Sequence, residues 1–306
     1  MDYFIERLMD GLTLGVICAV LAISYAIASG VRRSLIFVNT AFYLTGIAIA
    51  LGVFSGAAAI AFHPGEALTA LLALVWAITL AAIAAGAATE GLPAGMRSSL
   101  RQQSLMTSIC ALFLATGILQ FADQLRVPQY LLPAFAPRLT LFIPGIVKAE
   151  FAFVQPVVLA TGAAAIAATI FFFRRGSFGR KQRAVAQDRH VAELLGINVA
   201  RILSVAIITA SVAAALSGWM ITVVSAPTDP GNGLLLAACA FLGAELGGLR
   251  SLPKAAAGGF AVGFGHAFWS GYFGPEYAWP AVFAVLVFVL IFSRPAFTTA
   301  AAMGEA

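Results

Sequence analysis

The sequence predicts an all-α integral membrane protein, a polytopic helical bundle of about eight or nine membrane segments, and three observations predict it. The first is composition: of 306 residues, 61% are hydrophobic and 10% charged, where a soluble domain carries about 25% charged residues. The second is spacing. A membrane helix needs about 20 apolar residues, and apolar blocks fall at 11–31, 34–54, 66–88, 103–122, 151–173, 201–225, 255–273 and 277–293, with a shorter one at 233–247. The third is the placement of the basic residues. Alternating outward from the polar passage 174–200 puts Arg32, Arg33, Arg97, Arg101, Arg174, Arg175, Arg180, Lys181, Arg183, Arg189, Arg201, Arg250, Lys254 and Arg294 on one side. Only Arg7, Arg126, Arg138 and Lys148 are left on the other. Cytoplasmic loops carry the excess of Lys and Arg, so the N-terminus is expected outside and the C-terminus in the cytoplasm. The formal charge of +5 thus reports topology and contact with anionic lipid rather than nucleic acid. Residues 1–306 read as one transmembrane domain, with 174–200 a cytoplasmic loop and 123–150 an external one.

The first block opens with Gly11 and Gly15, four residues apart. Small residues at that spacing let helices approach closely where no hydrophobic force drives them together. Asp2, Glu6, Arg7 and Asp10 before it are unlike the basic start of a cleaved signal peptide, so this block is expected to remain as a span. In the second block Asn39 and Thr40 are polar residues within the membrane, expected to face the bundle interior. They fit two roles, helix-to-helix hydrogen bonding or a place on the translocation path. Gly91, Pro93 and Gly95 mark a turn in the short inside loop 89–103. The outer loop 126–150 carries Pro128, Pro133, Pro137 and Pro144. It is too proline-rich for a long helix and reads as an irregular lid or docking surface, or a plain connector.

The block at 233–247 is short enough for a tilted span, a half-helix or a re-entrant segment. Glu245 near its end would cost about 2.5–3.5 kcal/mol unpaired at the membrane centre; at the inner boundary it can snorkel or pair with Arg250. Gly247, Gly248, Gly259 and Gly263, with Ala255, form a further close-packing series. His266 lies mid-span, as a hydrogen-bonded interior histidine or a proton relay. Cys18, Cys110 and Cys239 sit in apolar blocks with neither disulfide nor metal spacing, and read as small buried hydrophobes.

Between Arg174 and Asn198 lies the one long polar passage. Within it AVAQDRHVAELL reads as a short helix with Val191, Leu194 and Leu195 on one face. Gly196 supplies a stop, and Asn198 can cap the helix that follows. A membrane protein therefore presents a small, partly apolar helix to the cytoplasm, a shape suited to docking.

This passage, QDRHVAELLGIN, resembles the coupling segment of the permease subunits of branched-chain amino-acid (Liv-type) ABC importers. The likeness is carried by Asp188, Ala192, Leu194, Leu195, Gly196, Ile197 and Asn198. Three further patches are similar to the same family. They are GLTLG with AISYA in the first block, LIFVNTAFYLTG through Phe37, Tyr43 and Gly46, and LGGLRSLPKAAAGG through Gly247, Gly248, Ser251, Pro253, Gly258 and Gly259. Asn39, Thr40 and Ala41 stand where the family usually has His-Gly and an acidic residue, and Arg250 and Lys254 where it often has Gly. The resemblance implies a multi-pass subunit of the bacterial inner membrane. Its implied partners are a homologous second permease, two cytoplasmic ATPase subunits that hold ATP and magnesium, and a periplasmic solute-binding protein. It also implies that the segment around Asp188 to Asn198 transmits closure of the ATPases. Candidate path residues are Asn39, Thr40, Glu245 and His266; the expected cargo is a branched-chain amino acid or a related small polar solute.

The chain's own chemistry fits a transport subunit powered by partners. No phosphate loop surrounds Lys148, Lys181 or Lys254, and no zinc spacing, nucleophile elbow or dinucleotide fingerprint occurs. No catalytic residue, metal or cofactor is expected on this chain. Membrane-embedded carboxylates are nearly absent, which argues against the alternative, a self-contained secondary transporter or channel. A membrane-embedded enzyme would have only Glu245 and His266 to work with, at opposite depths.

Overall fold

A computed structural model describes residues 2–31, 39–48, 138–143, 147–152, 154–225, 230–249, 251–274, 277, 280–284 and 287–288. Among the described residues the helices with full ranges are α1 (Asp2–Val31), α2 (Val154–Arg175), α3 (Ser177–Gln187), α4 (Arg189–Leu194), α5 (Val199–Ser225), α6 (Pro230–Gly247) and α7 (Leu252–Phe273). Residues 39–48 are also helical. The apolar blocks predicted at 66–88 and 103–122, together with Cys110 and Arg250, lie outside the described residues.

Three of the described helices contain stretches long and apolar enough to cross a membrane: Phe4–Gly30, Gln155–Arg175 and Val199–Val224. The short block at 233–247 belongs to the continuous 18-residue α6, about 27 Å long at 1.5 Å per residue. One expectation is corrected. The loop expected to be external is not wholly irregular, because β1 (Arg138–Ile143) and β2 (Val147–Ala152) pair antiparallel, from Arg138 opposite Ala152 to Ile143 opposite Val147. Two short runs of β-branched and aromatic residues flank Pro144-Gly145, a turn signal that the count of prolines had obscured. Strand β2 also takes the first residues of the block predicted at 151–173, so α2 starts at Val154.

The bundle is assembled around α1, which packs on α7, α5, α6 and α2. Ile17, Leu21 and Tyr25 of α1 meet Tyr43, Leu44, Ile47 and Met220 in the main core. Buried hydroxyls are returned to their own helices: Thr13 donates to the Met9 carbonyl (2.8 Å), Ser217 to Ala214 (2.7 Å) and Thr222 to Gly218 (2.9 Å). Such back-bonding satisfies polar groups where no water is available.

Glycines set how closely the helices approach. A Cβ on Gly11 would stand 3.0 Å from the Phe264 ring, and one on Gly15 2.9 Å from Phe260. In return, a Cβ on Gly263 would stand 2.8 Å from the Leu14 carbonyl oxygen, and one on Gly259 2.8 Å from that of Cys18. Gly247 abuts the Lys254 carbonyl across the α6–α7 crossing. Gly248 departs from the packing role predicted for it. It has φ +90° and open space around it, so it reverses the chain after α6 while its neighbour Gly247 does the packing. Cys18 and Cys239 are buried free thiols.

Candidate functional site

The passage between the spans folds into two short helices joined by a single extended residue. Asp188 (φ −150°, ψ 117°) ends α3 and begins α4. Its carboxylate accepts from the backbone N–H of His190 (2.8 Å) and Val191 (3.2 Å), the N-cap arrangement that satisfies orphan donors of a first helical turn. At the other end Gly196, with φ +75°, closes a Schellman turn. Its N–H donates to the Glu193 carbonyl (3.0 Å), and that of Ile197 to Ala192 (3.1 Å). Two residues later the Asn198 Oδ1 accepts from the Arg201 N–H (3.1 Å) and caps α5.

The seven residues that carry the family likeness therefore divide by task. Asp188, Gly196 and Asn198 fix helix ends. Ala192 is 1% exposed and packs with Val185, Val199 and Ile202, with Ile197 against that small core. Leu194 and Leu195 are 75% and 72% exposed, and Val191 49%. Five residues build a platform, and two of the seven, with Val191 beside them, form an apolar tip. Val191 was legible as part of the apolar face, but the likeness did not include it.

Removal of the Asp188 cap has a local expected result. An N-cap substitution by alanine costs about 1 kcal/mol, so Asp188→Ala speeds hydrogen exchange of the amides at 191–195 about fivefold, while Asp188→Asn leaves it nearly unchanged. Unaltered exchange in the alanine variant would show that the cap does not hold α4.

The candidate path residues do not converge. Asn39 is 2% exposed and its Nδ2 donates to the Ser24 Oγ (2.6 Å). The Thr40 Oγ1 and the Tyr25 hydroxyl share a hydrogen bond of 2.7 Å. Both residues thus tie the 39–48 segment to α1. The signal was present in Ser24-Tyr25, adjacent polar residues inside an apolar block. Glu245 and His266 are each half-buried. Because Gly243 faces Gly258 and Gly247 faces Lys254, Glu245 and His266 lie about 14 Å apart along the antiparallel α6–α7 pair. From the antiparallel contacts of Gly11 and Gly15, His266 is also roughly 20 Å in depth from Ser24 and Tyr25. Among the described residues no cluster of His, Cys, Asp and Glu could hold a metal ion.

The model of the branched-chain amino acid transport system / permease component family matches residues 7–292. The high-affinity branched-chain amino acid transport system permease protein LivH of Escherichia coli (strain K12) is 27% identical over 290 residues, which cover 94% of this chain and 93% of LivH. LivH of Salmonella typhimurium is 26% identical over 290 residues, with the same coverage. BraD of Pseudomonas aeruginosa, another high-affinity branched-chain amino acid transport system permease protein, is 26% identical over 300 residues, 96% of this chain and 94% of BraD. No solved structure matches. With the match reaching from the first turns of α1 past the end of α7, this chain belongs to the branched-chain amino acid transport system permease component family.

Proposed function

We propose that this chain is the membrane-embedded permease subunit of an ABC importer that carries branched-chain amino acids, or a related small polar solute, across a bacterial inner membrane. Residues 1–306 act as one transmembrane domain of eight or nine segments, N-terminus outside and C-terminus inside. The chain works with a homologous second permease, two cytoplasmic ATPases that hold ATP and magnesium, and a periplasmic solute-binding protein; it performs no catalysis itself. The observation that carries this reading is the capped α4, whose apolar tip stands exposed on a platform packed around Ala192. Closure of the ATPases on Leu194 and Leu195 would push α4, and through its short capped connection the start of α5. Bundles with two alternative packings turn such a push into alternating access. Solute selection rests chiefly on the external binding protein, and the departure from the family pattern at Asn39 to Ala41 leaves the identity of the solute open among amino acids and related small polar solutes.

The test is affinity purification of the full chain in mild detergent, followed by reconstitution. Recovery of an ATPase and a second permease, with solute uptake that requires ATP, is the expected result. Recovery of the chain alone, with uptake in liposomes that needs no ATP, would overturn the reading.

A further inference from the structure

The elbow between α2 and α3 has a surface that the coupling reading leaves unused. Arg174 and Arg175 form the last turn of α2, and Arg180, Lys181 and Arg183 follow on α3. All five side chains are exposed. Among the described residues none of the five makes an ion pair with an acid; the pair seen there, Arg7 with Asp10, is on α1. The nearest acid in sequence, Asp188, has its carboxylate engaged in capping α4.

The elbow is built rather than loose. Phe178 of α3 packs on Phe172 (5.4 Å) and Phe173 (5.7 Å) of α2. Gly179 lies directly against the Phe173 carbonyl, and a Cβ on Gly176 would stand 2.5 Å from that of Phe172; both glycines are needed for α3 to fold back so tightly. Helix α3 also packs on α5, and its Gln182 amide nitrogen lies 3.9 Å from where a Cβ on Gly30 would stand. It therefore runs across the ends of α1, α2 and α5, at the edge of the bundle. On the outer side of the elbow Phe171 and Phe172 are 60% and 44% exposed, and the Arg175 guanidinium sits 5.3 Å over the Phe171 ring. An arginine stacked beside exposed aromatic surface at the end of a membrane-crossing helix is placed at the boundary between acyl chains and headgroups.

We propose that the α2–α3 elbow is a binding site for anionic phospholipid of the cytoplasmic leaflet, with Arg174, Arg175, Arg180, Lys181 and Arg183 around the phosphate headgroup and Phe171 and Phe172 along the acyl chains. Guanidinium groups match phosphate oxygens in geometry as well as charge, and basic clusters at a membrane surface draw anionic lipid. The inference rests on α2 crossing the membrane with its Arg174 end inside. It does not require that α4 contact an ATPase.

The experiment uses the full chain in nanodiscs of equal phosphatidylglycerol and phosphatidylcholine, with the retained lipid counted by native mass spectrometry. The wild-type chain is expected to retain phosphatidylglycerol over phosphatidylcholine by at least about fivefold. Substitution of all five cations by glutamine brings that ratio to within about twofold of parity, whereas four Arg→Lys changes preserve it. If the fivefold variant does not fold, Arg180→Gln with Lys181→Gln, both on the exposed face, is expected to halve the ratio at least, roughly. Parity in the wild-type chain overturns the proposal, and so does an unchanged ratio in a folded variant that lacks the charges. A neutralised chain that keeps its lipid but no longer recovers an ATPase assigns the surface to a protein and overturns it equally. Absence of an ATPase from every preparation would count against the coupling reading alone, since lipid retention is read without one.

Discussion

Replacement of Leu194 and Leu195 together by aspartate is expected to cut recovery of an ATPase, and ATP-driven uptake, by about tenfold or more, while the thermal midpoint of the chain stays within a degree or two. The two halves of that result have separate causes. The leucines are 75% and 72% exposed, and surface changes away from packed features are usually within about 0.5 kcal/mol. Burial of an exposed leucine against a partner is worth about 1.5–3 kcal/mol, and a tenfold change in affinity needs only about 1.4 kcal/mol. Ala192→Asp supplies the contrast. At 1% exposure among Val185, Val199 and Ile202, it is expected to melt the platform itself. Full ATPase recovery by the double aspartate variant would remove the apolar tip from the mechanism.

The second large effect is on assembly. A Cβ on Gly46 would stand 2.6 Å from the Ala215 carbonyl oxygen and 2.8 Å from its Cα. One on Gly218 would overlap the Tyr43 carbonyl and stand 3.0 Å from the Ile47 nitrogen. The obstacle in each case is backbone, which cannot swing aside as a side chain can. Gly46→Val and Gly218→Val are each expected to destabilise by about 3 kcal/mol, read as early aggregation on heating in detergent and reduced accumulation in the membrane. The double variant should fall short of the sum, because both changes pry apart one crossing. Normal melting of either single variant would mean that the 39–48 segment and α5 do not meet in this way.

What was legible in the sequence was mostly local. Gly196 and Asn198 could be read as stop and cap because both act on backbone groups within a few residues. The small-residue series at Gly11 and Gly15, and at Gly259 and Gly263, announced close packing, since spacing along one helix decides which residues share a face. That those two series belong to one interface was not legible, because nothing in a helix's own period names its partner. The same limit hid the partner of Asn39, since nothing in its own segment points to Ser24 of α1. Gly248 was misread for a different reason. Of two adjacent glycines, one is needed for contact and the other for a positive φ, and composition does not say which. The β1–β2 pairing was missed because the prolines of the loop were weighed by number rather than by the turn signal that the Pro144-Gly145 dipeptide carries in the sequence.

The central place of α1 has a consequence for the order of events during synthesis. Gly11 and Gly15 receive Phe264 and Phe260, so α1, once translated, waits for a partner roughly 250 residues downstream, and at about 5–20 residues per second that wait is some 12–50 s. Throughout it the groove on α1 is open to lipid or to whatever other helix is nearby. Insertion of α1 therefore precedes by that interval the packing that completes its surroundings, and a ribosome that stalls before Leu252 leaves the central helix with that groove unfilled.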